Sequence, residues 1–307
     1  MTSEQTYRRT TVSIPSGNSF CAAWLYLPEG VSSPPVVVLG HGMGATREMR
    51  LDAFAERFAS RGIACIAFTY RNFGDSGGDH RQELHPRQQL QDWEAVLAHV
   101  RTRTDLDSER MAVWGTSFGG GHVITIASRH PELAAAVAQC PFTDGLATAL
   151  RQGPRESLRL QSLLVRDLLA TVTRRAPVTL PFAAKPGGVA IMTAEDALPG
   201  YEALMPAGET FINHTRARVI PRLASYRPGR RARKVAPPIL FCVSSTDSVA
   251  PADVTLKYAH QAPRGVVKTY DAGHFAFYLG EPFEQLVADQ LAFFEEHLGL
   301  AGTADER

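Results

Sequence analysis

Arg110 to His130 read RMAVWGTSFGGGHVITIASRH, and the order of residue types in this stretch decides the fold. RMAVWG is a short apolar run stopped by glycine, the pattern of a strand buried on both faces of a parallel sheet. HVITIASRH, after three more glycines, has the length and apolarity of a packed helix. Between them G-T-S-F-G puts Gly115 two residues before Ser117 and Gly119 two residues after it. That spacing lets a strand and a helix approach closely while the serine sits in a strained turn with its hydroxyl presented to solvent. The pattern by itself is weak and could be a glycine-rich turn with an idle serine. Its setting, strand before and helix after, is what gives it meaning.

Working outward, the same punctuation recurs. PPVVVLGHG (34–42), IACIAFTY (63–70), AAAVAQC (134–140) and PILFCVSS (238–245) are further apolar runs ended by turn residues. Helical stretches alternate with them. REMRLDAFAERFASRG (47–62) puts Met49, Phe54 and Phe58 on one stripe, and RQQLQDWEAVLAHVR (87–101) groups Leu90, Trp93, Val96 and Leu97. Strand alternating with helix implies a parallel sheet with helices on both faces. TVSIP and FCAAWLYLP, ahead of the first run, read as antiparallel edge strands. The alternation fails over 142–236, where PFAAKPGG, ALPG, MPAGE and YRPGRR raise the Pro and Gly content. ESLRLQSLLVRDLLATVTR opens that stretch as an amphipathic helix. Residues 1–141 and 237–307 are therefore expected to form one core, and 142–236 a largely helical insertion that caps it.

Composition narrows the function. With 307 residues the chain can bury a large core, and 44% hydrophobic with 21% charged residues is ordinary globular usage. Lys and Arg number 32 against 31 Asp and Glu, a net charge of +1, so no overall field draws the chain to nucleic acid or anionic lipid. MTSEQTYRRT lacks an apolar signal core, and no run approaches the 18 or so apolar residues of a membrane span. The expectation is a cytoplasmic protein. Cys21, Cys65, Cys140 and Cys242 lack CxxC spacing, three of them in apolar runs, and read as buried free thiols rather than a zinc site or disulfides.

A serine hydroxyl is a poor nucleophile near neutral pH, so a base and a residue to orient that base are expected downstream. VSSTDSVAP puts Asp247 just past one buried strand, and KTYDAGHFAFY puts His274 just past another. Carboxyl ends of strands are where open α/β sheets build their sites. The order Ser117, Asp247, His274 is then nucleophile, acid, base. Asp144 and Asp271 compete for the acid's place. An anionic tetrahedral intermediate also needs N–H donors. The Phe118 amide at the helix N-terminus supplies one, and the loop H41-G42-M43-G44 the other, through Met43. His41 reads as support for that loop and His122 as a packing residue.

HGMG after a strand, the turn RNFGDSGG (71–78), the elbow GTSFGG, TDSVAP and AGHFAFY together resemble the α/β-hydrolase superfamily over nearly the whole chain except the insertion. RNFGDSGG and the late YRPGRR segment look most like its dienelactone-hydrolase-like and acyl-ester hydrolase group, some members of which are polyketide acyltransferases. The resemblance implies an eight-stranded sheet, a serine nucleophile, no metal and no organic cofactor. Dienelactone hydrolases proper carry cysteine at the elbow, so with Ser117 here lactone specificity does not carry over.

The leading expectation is hydrolysis of a small-molecule carboxylic ester or thioester through an acyl-serine. Alternatives are an acyltransferase using the same intermediate and a non-catalytic binding protein on the same fold. From Arg216 to Lys234 eight basic residues occur without an acid: Arg216, Arg218, Arg222, Arg227, Arg230, Arg231, Arg233 and Lys234. They read either as a mouth for an anionic substrate or as a solvated face. Phe142, Phe182 and Phe211, with Leu163 and Leu164, line an acyl pocket or form the insertion's own core.

Overall fold

The computed structural model describes residues 5–151 and 153–300, so the chain ends quoted above lie partly outside it. β1 (Tyr7–Ser16) and β2 (Ser19–Pro28) form an antiparallel hairpin. β3 (Pro35–Gly40), α1 (Leu51–Ala59), β4 (Ala64–Phe68), α2 (Pro86–Thr102), β5 (Asp107–Thr116), α3 (Phe118–Ala127) and β6 (Ala135–Gln139) then alternate. The eight-stranded sheet has the order β1-β2-β4-β3-β5-β6-β9-β10, where β9 is Ile239–Ser244 and β10 is Gly265–Tyr270. β2 pairs antiparallel with β4, and every later pairing in the sheet is parallel.

Burial explains the apolar runs. All residues of β3, β4, β6 and β9 are buried, because helices cover both faces and neighbours flank both edges. Phe54 and Phe58 of α1 lock the sheet to α9 (Gly280–His297). Phe54 lies 4.6 Å from the Trp114 ring centroid and 4.9 Å from that of Phe283, and Phe58 lies 5.2 Å from Phe294. Met49, expected on the same stripe, is buried just before the helix starts. On the opposite face α2, α3 and α8 (Ala252–Ala259) pack, with Trp93 edge-on to Phe68 at 5.1 Å.

Two expectations change. β2 is an inner strand, since β4 hydrogen-bonds its far side and leaves β1 as the edge. The strand before His274, β10, is the other edge, and only Tyr270 of its six residues is buried. An edge strand has one covered flank, so its side chains need not all be apolar.

Between β6 and β9 the chain leaves the sheet through α4 (Gly145–Arg151), α5 (Pro154–Val172), β7 (Thr179–Leu180), α6 (Ala197–Ala203), β8 (Thr215–Arg216), α7 (Val219–Ser225) and a 3-10 turn, Pro228–Lys234. β7 and β8 pair antiparallel apart from the main sheet. From Thr173 to Asp196 the chain is mostly irregular, as its Pro- and Gly-rich composition requires. Phe142 packs on Phe118 (5.3 Å), and Phe182 on Phe73 (6.4 Å) and Phe211 (6.2 Å). These rings seat the excursion on the core. All four cysteines are free and buried.

Candidate active site

β5 delivers Ser117 to the carboxyl edge of the sheet, and α3 begins at the next residue. The backbone between them is strained: Ser117 has φ 55° and ψ −117°, a region that side chains other than glycine rarely enter. The crossing is too tight for a side chain at position 119. A Cβ on Gly119 would lie 2.5 Å from the His41 carbonyl oxygen and 2.6 Å from that of Gly40. The strain is held by backbone bonds. The Ser117 N–H donates to the Gln139 carbonyl (2.8 Å), and the Ser117 carbonyl accepts from the Phe142 N–H (2.9 Å).

Loops from β9 and β10 bring the other two residues to this point. His274 Nε2 lies 3.1 Å from Ser117 Oγ, and its Nδ1 lies 2.8 Å from Asp247 Oδ2. The second carboxylate oxygen of Asp247 accepts from the N–H groups of Val249 (2.8 Å) and Ala250 (2.6 Å), which fixes the acid's orientation. The His274 and Asp247 side chains are 3% and 1% exposed, so the pair is screened little by water. Burial pushes the His274 pKa down, but the charge of Asp247 and the bond to it, with Cys140 alongside, outweigh burial and hold it well above its ordinary value.

The competing acids face elsewhere. Asp144 accepts from Arg227 (2.7 Å), from the Tyr258 hydroxyl (2.6 Å) and from the Leu146 and Ala147 amides, tying the start of α4 to the 3-10 turn. Asp271 receives only the Ser245 hydroxyl at 3.4 Å among the described residues. His41 is fully buried with its pKa lowered to about 3 by desolvation. Its Nδ1 lies 2.9 Å from the Gly42 carbonyl, and its Nε2 accepts from the Tyr70 N–H at 3.4 Å. His122, also lowered to about 3 by burial, bridges the Tyr226 hydroxyl (2.7 Å) and Gln89 (3.0 Å). Neither imidazole hydrogen-bonds Ser117.

The loop carrying Met43 runs against the serine, since a Cβ on Gly42 would lie 3.2 Å from Ser117 Cβ. The N–H groups of Met43 and Phe118 have no hydrogen-bond partner among the described residues. For Phe118 this follows from its place at the head of α3, where an amide has no carbonyl one turn earlier. Ser117 itself is half-buried. The cavity over it, lined by Met49, Leu51, Tyr201, Leu204, Phe275 and Tyr278, holds about 20 Å³, room for one water but not for an acyl group.

Three neighbours were not singled out as site residues from the sequence. Tyr201, from α6, donates its hydroxyl to the Met43 carbonyl at 2.6 Å. Thr116 shares a short hydrogen bond with the Tyr278 hydroxyl. Cys140, at φ 33°, brings its sulfur within 4.8 Å of the facing Asp247 and His274 atoms. Its position directly after a strand was the one available clue.

Residues 32–275 match the family described as serine aminopeptidase, S33. The chain is 44% identical over 284 residues to the quorum-quenching protein AidA of Acinetobacter baumannii, covering 92% of this chain and 93% of that one. It is 27% identical over 287 residues to the thiohydrolase aneE of Aspergillus aculeatus, covering 89% and 88%. The solved structure of the α/β hydrolase GrgF from Penicillium sp. sh18 superposes with a TM-score of 0.83 at 20% identity, covering 95% of this chain and 99% of that one, a likeness of fold. Together with the parallel sheet and the serine turn after β5, these matches establish the chain as an α/β hydrolase, a member of the serine aminopeptidase S33 family.

Proposed function

We propose that the protein cleaves a small-molecule carboxylic ester or thioester through an acyl-serine intermediate. The observation that carries this reading is the continuous hydrogen-bonded line from Ser117 Oγ through His274 to Asp247. Ser117 attacks the acyl carbon while His274 Nε2 takes the hydroxyl proton. The free N–H groups of Met43 and Phe118 hold the oxyanion, and His274 returns the proton to the departing alcohol or thiol. Water deprotonated by His274 then attacks the acyl-serine and releases the acid. Asp247 orients the imidazole and stabilises its charged form.

Residues 142–236 act in this reading as a cap on the core formed by 1–141 and 237–307. Tyr201 and Leu204 stand over Ser117, and the 20 Å³ left beneath them requires the cap to shift before an acyl group enters. The same enclosure favours a second reading, transfer of the acyl group to an alcohol or amine where the closed cap excludes water. Four free, buried cysteines fit a reducing compartment, and we place the enzyme in the cytoplasm. The test is turnover of 4-nitrophenyl esters of increasing acyl length by the wild type and Ser117→Ala, with and without an alcohol acceptor. Release lost in the variant supports the acyl-serine, and ester formed on the alcohol supports transfer. Release that persists in Ser117→Ala overturns both.

A further inference from the structure

The basic run 216–234 divides in two in the folded chain. Its first half is consumed internally. Arg216 and Arg222 both meet Glu83 (2.9 and 2.8 Å), Arg218 meets the buried Asp167 (2.9 Å) and Arg227 meets Asp144 (2.7 Å). Its second half, Arg230, Arg231, Arg233 and Lys234, has no ion pair among the described residues. These four ride on the 3-10 turn Pro228–Lys234, whose Pro228, Gly229 and Ala232 are buried. The Gly229 N–H donates to the Thr143 carbonyl at 2.8 Å, so the backbone beneath the exposed cations is anchored.

Two further cations close the ring. Arg87 of α2 and Arg129, two residues past the end of α3, line a concavity of about 500 Å³ together with the turn. Counting Arg227, seven basic side chains line it and no acidic one does. Arg129 alone of the outer six has a carboxylate partner, Glu94 at 3.1 Å. The chain's net charge is only +1, so this is local segregation and not a general surplus. Five unpaired cations around one concavity repel one another, and an anion seated among them converts that repulsion into attraction. The volume falls in the range of small-molecule sites, about 300–1,000 Å³.

We propose that this cavity binds a small molecule carrying two or more linked phosphate groups. A guanidinium fork matches a phosphate edge with two parallel hydrogen bonds, and five unpaired cations exceed what a single carboxylate could satisfy. The site is separate from the serine. Thr125, on its wall, stands eight residues after Ser117 along α3, about 12 Å of helical rise. A ligand there occupies the flank formed by α2, α3 and the 3-10 turn and leaves the line from Ser117 to Asp247 untouched.

The probe is inorganic pyrophosphate, titrated calorimetrically into the full chain at physiological salt, with sulfate as the single-anion comparison. Saturable one-to-one binding, tighter than that of sulfate, with a rise in melting temperature is the expected result. Arg230→Gln with Arg233→Gln should weaken it by about 10-fold or more, the equivalent of one lost charged hydrogen bond. Arg87→Gln, on a different element, should weaken it independently. Both variants alter exposed side chains and should keep the wild-type melting temperature and ester turnover. Arg155→Gln with Arg159→Gln, exposed on α5, should change nothing. Pyrophosphate binding no tighter than sulfate, or unaltered by the Arg230 and Arg233 changes, overturns the proposal. Capture by phosphatidylglycerol vesicles through those arginines, without competition from pyrophosphate, overturns it in favour of a lipid contact.

Discussion

The Tyr201 hydroxyl donates to the Met43 carbonyl at 2.6 Å, a bond between α6 and the loop that follows β3. Tyr201 is buried, stacks on Phe211 at 4.4 Å and touches Phe275, the residue after His274, at 5.3 Å. One side chain thus joins the excursion, the Met43 loop and the His274 loop. In the proposed mechanism, closure over Ser117 and orientation of the Met43 peptide are therefore mechanically coupled. Tyr201→Phe keeps the ring and removes the donor, leaving a buried carbonyl unsatisfied at a cost of about 1–3 kcal/mol. We expect kcat for a short ester to fall about 10-fold with KM little changed. A rise in KM at constant kcat would show that Tyr201 serves substrate binding and not the Met43 amide.

The pH profile carries a sign that can be worked out. In the proposed mechanism His274 acts as base only when neutral, so kcat/KM should rise with pH as His274 loses its proton. Burial alone would place that limb below the ordinary histidine pKa of about 6.5, but Asp247 and Cys140 reverse the balance, so the limb should lie above it. The charged pair also stabilises the fold. Because the folded pKa is raised, that stability is complete below about pH 6.5 and is lost as pH rises through the folded value. Asp247→Asn should lower turnover by about 10⁴-fold and move the residual limb down, since the largest charge opposing burial is then gone. A wild-type limb at or below 6.5 would contradict this electrostatic account.

Much of this architecture was legible because strands buried on two faces must be apolar throughout, and turn residues must follow them. β3, β4, β6 and β9 announced themselves in that way, as did the glycine-flanked Ser117. β10 was read as a further buried strand, but as an edge strand it carries Lys268 and Thr269 toward water. The order of Ser117, Asp247 and His274 was readable from position after strands, and the structure brings their polar atoms within hydrogen-bond reach. Tyr201 was not readable: ALPGYEALMP has no motif, and its role depends on a partner 158 residues away. The division of the basic run was not readable for a related reason. Its pairing with Glu83, Asp144 and Asp167 is set by tertiary contact across long stretches of chain.

Asp144 offers a control for the choice of acid. Burial raises its pKa, but hydrogen bonds from Arg227 and Tyr258 more than compensate and leave it below the usual carboxylate value. Its stabilising effect is therefore present above about pH 3.8 and lost as pH falls through the lower folded value. Asp144→Asn should reduce the melting temperature, because Arg227 and Tyr258 lose a charged acceptor. The acid limb of kcat/KM should stay where it is. If Asp144→Asn instead removes activity in a protein that melts normally, Asp247 is not the acid that serves His274.

The sheet's stability should be most sensitive where α1 meets α9. Phe54 is fully buried and lies within 6.5 Å, centroid to centroid, of four aromatic rings: Phe58, Trp114, Tyr278 and Phe283. Removing its ring leaves a cavity that three elements would have to collapse together to fill. Phe54→Ala should therefore cost about 3–5 kcal/mol, the upper range for aromatic truncation in a core. The effect should reach the active site through Tyr278, which touches Phe54 edge-on at 6.2 Å and hydrogen-bonds Thr116 next to the serine. Denaturant unfolding of Phe54→Ala and Phe54→Leu checks the prediction, and Leu should restore most of the loss by refilling volume. A loss under about 1 kcal/mol for Phe54→Ala would mean that α1 can settle into the space, and that the contact between α1 and α9 is looser than its ring geometry implies.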